Sequence, residues 1–261
     1  MNEASLRQKI FQRFAKSSPI RSLYAIVFTF ILTLCTMVGS YFIYLHCPYL
    51  LPLMVVFLSL LLVRVFTLQH DCGHTALFKT PRYNHWVGLM CSMLTLFPYY
   101  YWRARHAKHH LGSGNLDERG VGDIPLFTSK EYKNSSWGIR WSYHFIRTPW
   151  VLFLFGAFWE GCVQMRYVKG DTPGNNRAKY HLNVHLSTLC FILIHATIIV
   201  CCGVVFYLTI ILLPLWLAAV LGSILFYLQH NFDGSYFVRK REWNEETAAL
   251  KGSSYFKLPR L

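Results

Sequence analysis

From Leu186 to Leu228 the chain carries no Asp, Glu, Lys or Arg. An uncharged apolar run about twice the length that crosses a hydrocarbon layer roughly 30 Å thick is expected to fold as two spanning helices, turned back near Gly203. Leu23 to Leu45 is a third uncharged stretch of spanning length. After a break at Cys47 and Pro48, Leu50 to Leu68 is a fourth, apolar except for Arg64, which lies near one end and can snorkel. The pattern predicts four spans, at about 23–45, 50–68, 186–205 and 207–228.

Composition agrees, because 54% hydrophobic and 15% charged residues are too apolar a mixture for an ordinary soluble domain. The net charge of +14 does not imply nucleic acid as a partner, since the basic residues lie between apolar runs without a recognition-helix or stacking-aromatic pattern. It reports topology instead. Five basic residues precede Leu23, fourteen lie between Gln69 and His185, and six come after Leu228. The positive-inside rule then puts both termini and the long central segment in the cytoplasm. The eight cysteines form no CxxC pair and sit mostly in apolar runs, so neither a disulfide framework nor a zinc ribbon is indicated. The basic N-terminal residues Arg7, Lys9, Arg13 and Lys16 precede an apolar run without a small-residue cleavage site, which therefore counts as a span.

Val87 to Tyr101 is apolar but short for a crossing, and reads as a re-entrant or interfacial helix; Val151 to Trp159 is shorter still. Gly112 to Gly122 and Gly170 to Asn176 read as loops, and nothing marks a second domain within residues 1–261. The expected fold is an all-α integral membrane protein: four transmembrane helices in two hairpins, with a cytoplasmic helical cap carrying the histidine clusters.

Those clusters carry the chemistry. The second span runs into His70-Asp71-Cys72-Gly73-His74, which places His70 and His74 one turn apart if the helix continues. In His106-Ala107-Lys108-His109-His110, spacings of three and four set three imidazoles on one face. Imidazole-rich ligation without thiolates suits iron, copper, zinc or nickel rather than calcium or magnesium. Five clustered histidines exceed one tetrahedral site, which leans toward two metals. By type and proximity, Asp71 and Asp123 are candidates to accept the second ring N–H and fix imidazole orientation. His181 and His185 repeat the HxxxH spacing at the mouth of the third span, where interfacial histidines commonly only hydrate. His46, His85, His144 and His195 are isolated and expected to be structural. Tyr99 to Trp102 reads as an interfacial aromatic belt, with an acyl-channel lining as the alternative. Arg239-Lys240-Arg241 reads as a lipid-facing or solvated charge run, or as a dock for an acidic electron-transfer partner.

His70-Asp71-Cys72-Gly73-His74 resembles the first histidine box of the integral-membrane fatty acid desaturases, and Trp102-Arg103-Ala104-Arg105-His106-Ala107-Lys108-His109-His110 resembles their second. The adjoining Ser113 to Asp123 is similar to the bacterial acyl-lipid group. Gln229-His230-Asn231-Phe232 resembles the place where this family supplies one further metal histidine. The resemblance implies a di-iron oxidoreductase of lipid metabolism with His70, His74, His106, His109, His110 and His230 as metal ligands. It also implies dioxygen as co-substrate, electrons from a ferredoxin- or cytochrome-type donor, and an acyl chain presented from the bilayer. Two hydrogens leave adjacent unactivated carbons, giving a double bond and water; the related outcomes are hydroxylation and ketolation. A bacterial inner membrane is the expected location. In the family a third HxxHH box comes after a stretch like Leu250 to Pro259, whereas this sequence reaches Leu261 without one. Either other residues and water complete the ligation, or the chain is a C-terminally incomplete, catalytically inactive desaturase-like protein. A bis-histidine haem is disfavoured, because these histidines lie clustered at the membrane edge rather than facing each other at bilayer depth.

Overall fold

The computed structural model describes residues 16–170, 172 and 176–255. Arg7, Lys9, Arg13, most of the Gly170 to Asn176 loop and the end of the Leu250 to Pro259 stretch lie outside them. The described residues are helical, with no β-strand beyond an isolated bridge between Asn115 and Val238. Four helices are long and apolar enough to cross a membrane: Pro19–His46, Pro48–Gly73, Arg177–Cys202 and Val204–His230. The protein is an all-α integral membrane protein.

In chain order the helices are α1 (Pro19–His46), α2 (Leu51–Gly73), α3 (Pro81–Ser92), α4 (Tyr99–Gly112), α5 (Ser129–Asn134), α6 (Trp137–Arg147), α7 (Arg177–Cys202), α8 (Leu213–His230) and α9 (Glu245–Lys251). A broken helical run, Pro149–Val151, Leu152–Gly156 and Ala157–Cys162, comes after α6. Short helical pieces at Val204–Phe206 and Tyr207–Leu212 lead into α8 and complete the fourth span. The chain divides into two compact units, one comprising residues up to Tyr99 with Leu189–Pro214, the other Tyr100–Thr188 with the residues from Leu215 onward.

In the first unit the packing of α1 inverts that of a soluble helix. Its buried stripe is Ser22, Ile26, Thr29, Thr33, Thr36 and Ser40, while Leu23, Ile31, Leu34 and Phe42 face outward. In lipid the tails are as apolar as leucine, so small residues that let backbones approach make the helix interface. The hydroxyls of Thr29, Thr33, Thr36 and Ser40 donate to the carbonyl one turn earlier, which satisfies them without water. α1 packs against α2, where Arg64 Nε donates to Thr29 Oγ1 at 2.8 Å. Arg64 therefore has a partner inside the helix pair, beyond the snorkelling expected of it.

The span positions match expectation, but the helices are longer than the apolar runs. α2 continues to Gly73, and α7 starts at Arg177, well before Leu186. Polar residues at a membrane edge extend a helix without registering as apolar. The α7 helix ends at Gly203, whose φ of +86° only glycine adopts freely, so the turn falls where expected. Val87 to Tyr101 is not one helix. It is split between α3 and α4, because the helix ends at Ser92 and Pro98 precedes the next start.

Candidate metal centre

The two histidine boxes of the sequence fall in different units: His70 and His74 in the first, His106, His109, His110 and His230 in the second.

In the first unit α2 carries His70 on its last turn, and the amide of His74 donates back to the His70 carbonyl at 3.1 Å. The two imidazole centroids are 4.6 Å apart. The helix closes by donation from Ala76 N–H to Asp71 O and from Thr75 N–H to Cys72 O, the paired bonds of a Schellman turn. That turn needs a left-handed residue, and it is Thr75, at φ 55°. A β-branched residue there is strained by roughly 1–2 kcal/mol, directly beside the histidine pair. From below, the fully buried Tyr99 hydroxyl donates to the Cys72 carbonyl at 2.9 Å. Asp71 lies 3.6 Å from His70 Nδ1, too far for a hydrogen bond.

In the second unit the start of α4 is held from a distance, since Asn183 Oδ1 accepts from the amides of Tyr100 and Tyr101 at 3.1 and 3.3 Å. Those amides belong to a first helical turn and have no intrahelical partner. Tyr99, Tyr101 and Trp102 are buried. They are not the lipid-facing belt expected of them, because the helix directs them inward and the Tyr101 hydroxyl is used on the Tyr167 carbonyl.

The helix then presents its histidines differently. His106 and His110 lie on the outer side with their Nε2 atoms 3.0 Å apart, close enough for both to reach one cation. His109 is 4% exposed, and its Nδ1 meets Asp123 Oδ1 at 2.6 Å. A carboxylate only accepts, so Nδ1 bears the proton and Nε2 keeps its lone pair. That Nε2 is buried and has no hydrogen-bond partner among the described residues. A buried imidazole with one nitrogen fixed by a carboxylate and the other an unused donor pair fits a metal ligand of the carboxylate–histidine–metal kind. The His230 ring, at the last residue of α8, stands 5.0 Å away and perpendicular. His109, Asp123 and His230 line a cavity of about 40 Å³, room for an ion or a few waters but not for an acyl chain.

Asp123 arrives by way of Gly120 and Gly122. Gly122 adopts φ +72°, and a Cβ there would come into contact with the His109 Cβ at 3.4 Å. The loop is clasped by the segment after α8. Val238 N–H donates to Gly114 O and Leu116 N–H to Val238 O, and Trp243 Nε1 donates to Ser113 O. Arg239 bridges Asp117 at 2.6 Å and Glu131 at 3.0 Å, and Lys240 pairs with Glu118 at 2.7 Å. The Lys240 amide and then the Arg239 guanidinium hold the Asp117 carboxyl below its usual range. Arg119 first, and the Thr128 amide next, do the same for Glu131. Arg239 and Lys240 remain largely exposed, as a solvated charge run would be, and in addition pair with acidic residues of the loop. Nothing in the sequence pairs residues 122 positions apart, so this clasp is legible only in three dimensions.

Five further histidines have other partners. His85 meets the Tyr99 hydroxyl at 3.4 Å, His144 that of Tyr132 at 2.6 Å and His195 that of Tyr207 at 2.9 Å, while the His181 and His185 rings stack with centroids 6.1 Å apart.

The chain is 37% identical over 203 residues to a fatty acid desaturase of Bacillus subtilis, covering 77% of this chain and 56% of the relative. It is 26% identical over 218 residues to an sn-1 oleoyl-lipid 12-desaturase of Anabaena variabilis, 81% of this chain and 59% of that one. A shorter segment of 53 residues is 40% identical to a Synechocystis sn-1 acyl-lipid omega-3 desaturase (ferredoxin), covering 20% of this chain and 15% of that relative. The chain spans just over half the length of the first two relatives. The family model for fatty acid desaturase matches residues 45–260, most of the chain and both histidine boxes, and the chain belongs to the fatty acid desaturase family.

Proposed function

We propose that this chain provides the histidine core of an oxygen-dependent desaturase that introduces a double bond into an acyl chain held in the bilayer. The observation that carries the reading is His109, whose Nδ1 is fixed by Asp123 and whose buried Nε2 is left as an open ligand atom beside His230. In this reading His70, His74, His106, His109, His110 and His230 hold two irons. A di-iron group, when bound, supplies the activation of dioxygen that removal of hydrogen from an unactivated C–H bond requires. The chain's own residues do the positioning. Asp123 keeps His109 in one tautomer and raises the donor strength of its Nε2. Asp71 acts more weakly on His70, across 3.6 Å.

The electrons come from a ferredoxin- or cytochrome-type donor and the substrate is an acyl lipid; the names of two relatives, which give ferredoxin for one and a lipid substrate for both, support the ferredoxin and acyl-lipid parts. The excess of basic residues before Leu23, between Gln69 and His185 and after Leu228 supports a bacterial inner-membrane orientation with the histidine boxes and both termini on the cytoplasmic side.

The test is iron content of the detergent-purified chain together with lipid analysis of cells expressing it. Two irons per chain and a new double bond are expected. A chain with neither metal nor a changed lipid profile is not an enzyme of this kind, and a new hydroxyl group in place of the double bond would reassign the outcome.

A further inference from the structure

The second unit contains a helix turned inside out. α6 starts at Ser136, whose hydroxyl accepts from the Ile139 amide, and places Trp137, Trp141 and Phe145 at i, i+4 and i+8 on one face. These three are 76%, 57% and 51% exposed, and the Trp141 and Phe145 rings stack in parallel at 5.4 Å. The inward face carries the charge instead. Arg147 Nη1 donates to Pro125 O at 2.7 Å, Arg140 lies over the Tyr132 ring, and Tyr143 stacks on Phe127 at 4.7 Å. Large apolar side chains left in water forgo the gain of burial, so an outward aromatic stripe calls for an apolar cover.

The nature of that cover is indicated by the next stretch of chain. Within the run from Pro149 to Cys162, residues Leu152, Phe153 and Leu154 contact α8, which forms most of the fourth span. Its Leu152–Gly156 turn is π-helical and leaves carbonyls outside the regular ladder. Ser223 Oγ donates to Leu152 O at 3.3 Å, Trp216 Nε1 donates to Leu154 O at 2.7 Å, and the Phe153 ring meets Tyr227 edge-on at 5.3 Å. Irregular backbone at membrane depth is tolerated where a neighbouring helix satisfies the freed groups, and α8 does so here. The outer side of the run again shows large apolar residues, with Trp150, Phe155 and Trp159 at 74%, 57% and 56% exposed.

We propose that residues 137–162 form a membrane-embedded element additional to the four spans. α6 lies in the bilayer interface with Trp137, Trp141 and Phe145 toward the acyl chains, and the Pro149–Cys162 run dips into the same leaflet beside α8. The occupant is lipid rather than a protein, because the surface continues from a helix that itself crosses the bilayer. Its exposed residues are also dominated by tryptophan, the residue that concentrates at membrane interfaces.

The test is photocrosslinking of the full chain in its native membrane, with p-benzoylphenylalanine placed singly at Trp141, Phe145 or Trp159 and, as a control, at the exposed Lys133 of α5. Phospholipid adducts at the first three positions and none at Lys133 are expected. Adducts to a second copy or to another protein at Trp141 and Phe145, or no adduct at all there, would overturn the proposal. Because a bulky probe can perturb folding, the check is Trp141→Phe in nanodiscs containing brominated phospholipid. Loss of part of the lipid-quenched tryptophan emission is expected, and an unchanged quenched fraction would also overturn it.

Discussion

The two histidine regions use the same side chain in different states of preparation. His70 and His74 end a helix on a strained Thr75, Asp71 stands 3.6 Å from His70 Nδ1, and the His70 side chain is 38% exposed. His109 is nearly inaccessible, bonded to Asp123 at 2.6 Å, and covered by a loop clasped to the segment after α8. Equal spacing in sequence therefore does not mean equal preorganisation. The second region buries one imidazole with its orientation fixed by a carboxylate, and the first sets its pair at a fixed helix end with His70 partly exposed.

The largest expected effect is His109→Ala, which should abolish the proposed desaturation and lower the metal bound per chain, read by iron analysis and lipid profile; His195→Ala, whose ring engages Tyr207 and Phe191, should leave both intact. Equal effects of the two would end the ligand assignment. Next, Asp123→Ala should weaken metal binding on the order of 10–100-fold, while Asp71→Ala should change it far less, by titration of the purified chain. A reversed order would show that the first region, not the second, is the prepared one.

Gly88→Ala should destabilise the first unit by about 1–3 kcal/mol in thermal unfolding, because the added methyl collides with the buried Tyr99 ring that steadies the Cys72 carbonyl. Thr75→Gly should move the other way, gaining roughly 1 kcal/mol by relieving the left-handed strain beside His74.

The smallest effect concerns the clasp. Asp117 and Glu131 have lowered folded-state pKa values, so their contribution is fully present above the ordinary carboxylate range and is lost as pH falls through the folded values. Asp117→Asn should lower neutral-pH stability only slightly, as expected of an exposed pair, and flatten the acid limb of the stability–pH profile so that the two proteins converge at low pH.

Most of the membrane architecture was legible in the sequence. A span needs only enough consecutive apolar residues, and a residue's own hydropathy supplies that without any partner, so the four spans and the Gly203 turn were readable. Helical spacing likewise brought His70 to His74 and His106 to His110, since residues four apart meet on any helix. The burial of Tyr99, Tyr101 and Trp102 was not readable in the same way, because an aromatic run looks alike whether it faces lipid or core.

By itself, then, the sequence determined what is local or periodic: the spans, the turn, the histidine spacing and the family to which these belong. Tertiary structure alone decided that Asp123 reaches His109 and leaves Nε2 open, that Arg239 closes on Asp117, that Asn183 caps α4, and that α6 turns its tryptophans outward. The physical reason is the same in each case. These are pairings between groups distant in the chain, set by which surfaces pack, and a one-dimensional pattern carries the chemistry of both partners but not their meeting.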